Sequence, residues 1–222
     1  MPVEKSTKSV GDVLTAVKRQ FGDESGVQIN DADIIRWTND AQREIVDTNT
    51  LVNAKVATTD VVAGLDTYSM LTDPSVDNIS NITSIRYNGV LLRPITVQQA
   101  EEFAVTANDN KTSGIPLAWY YEEGNVVLFP TPTDNVTDGL KIRFTAYPED
   151  VTNSGSMLGI PDSYFNALVQ YVISQAYELD ENAQMAQMKL AQFEKSLGMR
   201  QNKSTNQGSS YPTIRLDGED AY

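Results

Sequence analysis

Residues 114–132 read Gly-Ile-Pro-Leu-Ala-Trp-Tyr-Tyr-Glu-Glu-Gly-Asn-Val-Val-Leu-Phe-Pro-Thr-Pro. Two runs of aromatic and β-branched residues flank a Glu-Glu-Gly-Asn turn, which predicts an antiparallel hairpin. Gly124 supplies the positive φ that so tight a turn needs. Pro116 and Pro130 bound the pair, because proline cannot donate to a sheet ladder. The pleat puts Trp119 and Tyr121 on one face and Tyr120 on the other, so one face belongs to a core. These three aromatics are candidate anchors of a β platform. The hairpin holds neither a nucleophile nor a set of metal ligands.

The middle of the chain is β-rich. Strands are predicted at Val52–Val62 and Asp66–Met70 around an Ala-Gly-Leu turn. Ile79–Tyr87 and Val90–Ile95 flank Asn88-Gly89, a strong hairpin signal. Thr96 and Gln99 form a capping box that opens a short helix over 96–106. After a polar loop at Asn108–Gly114 and the hairpin, Leu140–Tyr147 alternates cleanly. Leu140, Ile142, Phe144 and Ala146 lie on one face, and Lys141, Arg143 and Thr145 on the other. Residues 148–159 read as an exposed loop.

The ends are helical. Over 9–21, Val10, Val13, Leu14, Val17 and Phe21 fall at helical spacing after Ser9, a cap residue with Asp12 in the first turn. Over 31–49, Ile34, Trp37, Ala41 and Ile45 form a stripe, and Asp40 is placed to pair with Arg36 or Arg43. From Ile160-Pro161-Asp162 onward, apolar residues recur at Phe165, Leu168, Val172, Ala176, Leu179, Ala183, Ala186, Leu190, Phe193 and Leu197. Each step is three or four residues. The phase survives Asp180-Glu181-Asn182, which predicts one helix of about 35 residues and about 50 Å, with Asp180 as the place for a kink. Its first half carries a second apolar row and belongs to a core. Its second half carries a narrower face of Met185, Met188, Leu190, Phe193 and Leu197, suited to a contact within the chain or with another subunit. From 199 to 222 a polar spacer precedes Tyr211, Pro212, Ile214, Leu216 and Tyr222. That composition fits a tethered docking peptide, or a tail that merely frays. Such a tail spans about 25–30 Å on average and about 80 Å when extended.

The fold expected is therefore α+β. Residues 1–50 and 160–198 form a helical bundle of two N-terminal helices and a long C-terminal one. Residues 51–159 form an inserted antiparallel β-rich domain, and 199–222 an extended tail.

Composition narrows the function. The chain has 222 residues, no Cys and no His. A zinc site, a thiolate nucleophile and a Ser-His-Asp triad cannot be built. No catalytic residue, metal or cofactor is expected. Asp31 with Asp33 and Glu101 with Glu102 are the nearest thing to carboxylate pairs, but adjacent acids on a helix diverge. The net charge is −13, and the basic residues are scattered, so no specific grip on nucleic acid is expected. No apolar run reaches membrane-spanning length, and the first residues lack a signal core.

The order of these parts resembles a known family. Asp-Ile-Ile-Arg-Trp-Thr-Asn-Asp-Ala-Gln-Arg-Glu-Ile at 33–45 is followed by Pro116, Trp119-Tyr120-Tyr121 and Val126-Val127-Leu128-Phe129-Pro130. Then come Tyr147-Pro148, Ile160-Pro161, Tyr164, Ala167-Leu168-Val169, Ala176-Tyr177-Glu178 and Phe193-Glu194. Over about residues 10–198 this is similar to the head-to-tail adaptor (connector, or neck) proteins of tailed bacteriophages, especially short-tailed ones. The resemblance implies a structural virion protein, assembled in the host bacterial cytoplasm and placed at the capsid vertex. It implies a ring, usually of twelve copies, beneath the portal protein. The ring extends the DNA channel and offers a platform to tail nozzle proteins and sometimes fibres. A C-terminal extension reaching the portal would match the tail here. Other readings are a tail-completion or baseplate component, a carboxylate-dependent enzyme, and a glycan-binding domain built on Trp119–Tyr121.

Overall fold

A computed structural model describes residues 6–49, 52–69, 79–106 and 113–208, with the side chains of 104–106 and 200–208 left aside. The protein is mixed α+β. Helix α1 (Val10–Phe21) begins at Ser9, the cap residue its sequence predicts, and ends on Gly22. Asp12 accepts from the Ser9 amide in return and so completes a reciprocal capping box beyond what was expected. Helix α2 (Asp31–Thr48) begins at Asn30, whose side chain accepts from the Ala32 amide. Between them, Asp23 folds the connection around its own carboxylate. Burial pushes that carboxyl's pKa up, but amide hydrogen bonds from Ile29, Val27 and Gln28 outweigh this and hold it below the usual range.

The β region follows with strands β1 (Ala54–Val61), β2 (Thr67–Ser69), β3 (Ile79–Tyr87), β4 (Val90–Leu91) and β5 (Arg93–Pro94), then helix α3 (Val97–Thr106). Strands β6 (Ser113–Gly114), β7 (Ala118–Glu122), β8 (Asn125–Phe129), β9 (Thr131–Pro132) and β10 (Val136–Ala146) complete it. One sheet runs β1-β10-β3-β4 and a second β2-β8-β7-β5. Their inner faces share one core, with Phe144, Ile142 and Leu140 from β10, Ile85 from β3, Trp119 from β7 and Leu128 from β8. The β7–β8 hairpin turns on Glu123 and Gly124, both at positive φ. The capping box at Thr96 and Gln99 is present in both directions.

Two expectations change here. Strands β1 and β2 are not partners. The Gly64 amide bonds to the Pro132 carbonyl at 2.8 Å, so the turn after β1 hands the chain to the other sheet, where β2 pairs with β8. Likewise β4 is cut short, and β5 leaves to run parallel to β7.

The loop at 148–159 is not simply exposed. Val151 and Leu158 are buried in the helical core. Asn39 of α2 exchanges two hydrogen bonds with the Val151 backbone, at 3.1 and 2.9 Å, imitating a strand partner. Buried Gln42 accepts from the Gly159 amide at 2.7 Å. A β-carbon at Gly159 would overlap the Pro148 ring and stand 3.3 Å from the Pro148 Cα. Gly159→Ala is therefore expected to cost about 1–3 kcal/mol of stability, because the clashing Pro148 ring is closed onto the backbone and cannot swing aside. Chemical denaturation measures it, and an unchanged midpoint would refute this account.

The largest correction lies in the C-terminal region. A single 3₁₀ turn at Asp162–Tyr164 leads into α4 (Phe165–Leu179), and α5 (Ala183–Gly208) is a separate helix folded back on it. The ring centroids of Tyr171 and Phe193 are 5.2 Å apart. In one straight helix, residues 22 positions apart would be separated by about 33 Å. The turn is a Schellman motif: the Asn182 amide bonds to the Tyr177 carbonyl at 2.9 Å and the Glu181 amide to the Glu178 carbonyl at 3.2 Å. Its left-handed residue is Glu181 at φ 58°, where glycine is usual. That conformation costs a side-chain-bearing residue about 1–2 kcal/mol, and the absence of a glycine is why the sequence hides the turn. Helix α4 is central. It shares one core with α1 and α2 on one side and with Phe193 and Leu197 of α5 on the other, and Phe21 of α1 meets Tyr177 at 4.9 Å. Beyond Leu197 the helix continues to Gly208, so the first ten residues of the expected tail are helical. Extending a nucleated helix adds one hydrogen bond per residue fixed, which favours continuation.

Candidate interaction surfaces

Three parts of the surface are built rather than incidental. The first is the join between the helical and β regions. Asp47, in the last turn of α2, accepts from Ser80 of β3 at 2.7 Å and from Tyr147, just past β10, at 2.6 Å. One carboxylate thus ties two strands to one helix. Its hydrogen bond is the main reason the Tyr147 hydroxyl has a raised pKa. Beside it, Arg43 reaches both oxygens of Asp150, at 2.8 and 2.9 Å. Arg36 pairs with Asp33 at 3.4 Å, so neither arginine takes Asp40, against expectation. Arg36 takes Asp33 three residues back on its own helix, and Arg43 takes Asp150 because the 148–159 loop is pinned against α2. Arg43, Asp47, Tyr147, Pro148, Glu149 and Asp150 enclose an open recess of about 480 Å³.

The second is a clamp on the N-terminal segment. Asp162 accepts from the Ser6 hydroxyl at 2.7 Å, from the Thr7 amide at 2.9 Å, and from the Thr7 hydroxyl. Hydrogen bonds from Ser6 and Thr7 lower its pKa to about 2. The sign of the linkage follows. A carboxyl depressed in the folded state adds stability that is fully present above its ordinary value near 3.8. That stability is lost as pH falls through about 2. Asp162→Asn is therefore expected to melt below the parent at neutral pH, with the gap closing between about pH 4 and pH 2. A gap that stays constant with pH would refute the clamp.

The third is the set of exposed apolar side chains. In the β region these include Val90 and Leu91 on edge strand β4, and Ile115 and Leu117 on the approach to β7. Phe103 of α3 stacks on Phe129 at 6.1 Å yet stays more than half exposed. On the helical hairpin they are Leu179, Met188, Leu190 and Met199.

The predicted contact residues distribute unevenly over these surfaces. Of the β-platform anchors, Trp119 is buried in the β core, because the inward face of β7 meets Leu128 and the opposite sheet. Tyr120 is half-buried and lines a recess with Asp66, Glu101 and Glu122. Tyr121 is exposed. Of the α5 face, Phe193 and Leu197 lie in the chain's own core, Met185 is half-buried, and Met188 and Leu190 are exposed. Tyr211, Pro212, Ile214, Leu216 and Tyr222 lie outside the described residues. Sequence reasoning missed Asp47, Asp150 and Asp162 as organising carboxylates. Their partners lie far away in the chain, and no local signal marks them.

The carboxylate pairs do not converge. Asp31 pairs with Lys18 at 2.5 Å, and Asp33 with Arg36. Among the described residues no three acidic side chains group as a metal site. The resolved shifts lower the carboxyls of Asp12, Asp23 and Asp162 and raise the phenols of Tyr68, Tyr147 and Tyr171. Each moves away from neutral pH, opposite to the tuning of a general acid or base. Among the described residues no helix is long and apolar enough to cross a membrane.

The family model for the SU10 adaptor protein matches residues 8–215, a span that takes in every helix and strand described. No curated protein matches the chain.

Proposed function

The chain belongs to the SU10 adaptor protein family of phage adaptors, and from that premise we propose that it forms a ring between portal and tail. Membership makes it a structural component of the virion that associates with other head–tail proteins. The ring, of twelve copies, extends the DNA channel and carries the tail nozzle, with fibres as further clients. The observation that carries this reading is the extent of the family match, which covers the helical region and the β region together.

Two physical features support it. A net charge of −13 on each subunit suits a wall past which DNA slides without binding, and it keeps free subunits apart until a portal orders them. The apolar side chains on β4, on the approach to β7 and on α5 offer contacts at separate places on one subunit. The segment beyond Gly208, with Tyr211, Pro212, Ile214, Leu216 and Tyr222, docks on the portal.

Electron microscopy of the particle neck tests the ring. The expected result is twelvefold density beneath the portal. Sixfold or threefold density would move the protein to a tail-completion or baseplate role. Truncation after Gly208 tests the docking segment. The truncated protein is expected to keep its melting temperature and lose portal attachment. Normal assembly by it would remove the docking role and leave the ring reading intact.

A further inference from the structure

Helices α4 and α5 carry one apolar stripe whose phase runs unbroken through the turn between them. In the hairpin, that stripe is used only at its two ends. Leu168, Val172 and Ala176 are buried on α4, and Phe193 and Leu197 on α5. The middle is wasted: Leu179 is 59% exposed, Leu190 is 37% exposed, and Ala183 is exposed. A hairpin has no need of a continuous phase, since each helix could start its own. A straight rod needs it throughout.

The hinge points the same way. Asp180, Glu181 and Asn182 contain no glycine and no proline, the residues that would forbid or disfavour a continuous helix. Glu181 is held at φ 58°, a strained conformation that straightening would relieve. What straightening would cost is the contact of α5 with α4. That cost disappears if the same surfaces meet between copies, because α5 of one chain can enter the place on α4 that another chain's α5 has left.

We propose that the α4–α5 hairpin is a closed form of an exchangeable pair: the hinge straightens, residues 165–208 become one rod, and α5 packs on α4 of a second copy. The occupant of the uncovered α4 seam is α5 of that copy, since Tyr171 against Phe193 already shows the fit within one chain. Leu179 and Ala183 then join the stripe, and the interface is made from residues already matched. The proposal does not require a ring of any particular number.

The test uses the full chain, which has no native Cys and so accepts nitroxide labels at two introduced cysteines. Asn166→Cys and Lys195→Cys place them on exposed positions of α4 and α5. In the hairpin the labels are expected within about 20 Å, with helix axes about 8–10 Å apart. In the rod they are separated by about 44 Å. Labelled chain is diluted tenfold or so into unlabelled chain, so that only distances within one chain are read. Two hinge variants bias the equilibrium. Asp180→Ala with Glu181→Ala and Asn182→Ala favours the rod, and Glu181→Gly relieves the strain while keeping the turn.

The alanine hinge is expected to associate at a concentration at least about tenfold below that of Glu181→Gly, by light scattering, and to show the long distance in its oligomer. An alanine hinge that stays monomeric with the short distance overturns the proposal. So does an oligomer that retains the short distance. Neither result bears on the ring reading, which stands or falls on the density at the particle neck.

Discussion

Phe193→Ala is expected to remove about 3–5 kcal/mol of stability, the cost of emptying a buried aromatic site. Phe193 is 2% exposed, and its ring meets Tyr171 edge-on. Nothing else among the described α5 side chains but Leu197 reaches the same core at comparable depth. The cavity would lie between two helices joined by a strained turn, so α5 is expected to lose its seat on α4 rather than collapse around the gap. Chemical denaturation followed by far-ultraviolet circular dichroism measures the loss. Met188→Ala provides the contrast: with 43% of its surface exposed, it should change stability by less than about 0.5 kcal/mol. Equal effects from the two substitutions would mean that α5 is not held by this stripe.

How much of this was readable beforehand depended on distance along the chain. Ser9 with Asp12, Thr96 with Gln99, and Glu123 with Gly124 are signals made by residues one to three positions apart. Each produced the local structure it announced. The stripe from Phe165 to Leu197 was also legible as helix, but not as two helices. Its break depends on a glutamate adopting the conformation usually given to glycine. Pairing across long separations was not legible at all. Nothing near Val62 says that β1 and β2 belong to different sheets, because the deciding bond runs from Gly64 to Pro132. Nothing in the Asn-, Ser- and Gly-rich stretch at 152–156 announces that Asn39 and Gln42 will hold its surroundings. The same holds for the contact surfaces. Trp119 and Tyr121 share a strand face by the two-residue rule, yet one is buried and the other exposed. Tyr121 lies beyond Ala118 and Trp119, the β7 residues that β5 pairs with, so that edge of the sheet is open beside it.

The second large effect concerns the β core. Phe144 is 1% exposed near the C-terminal end of β10, the strand flanked on both sides by β1 and β3. Phe144→Ala is expected to cost about 3–5 kcal/mol. The loss should fall on the β region first, because the helical residues form a separate buried cluster. The link between the two consists mainly of polar contacts such as those of Asp47 with Ser80 and Tyr147. In a Trp37→Phe background, which leaves Trp119 as the single tryptophan, its fluorescence change is expected at a lower temperature than the loss of helical ellipticity. The parent should lose both together or nearly so. If both signals still disappear in one transition after the substitution, the two clusters melt as a unit, and the polar join is stronger than its hydrogen bonds suggest.

The chain enters the β region and leaves it at one place. Asn53 bonds to the Ala146 carbonyl at 2.9 Å, and Ala54 lies opposite Thr145. Everything between these two points is a side branch whose stem is this pair of neighbouring strands, with the bond from Ser80 to Asp47 as a further polar tie. Material can be added to or removed from such a branch without altering the spacing of the helices that carry it. An insertion at a far turn of this branch, such as Asn88-Gly89, is therefore expected to leave the packing of α1, α2 and α4 as it is.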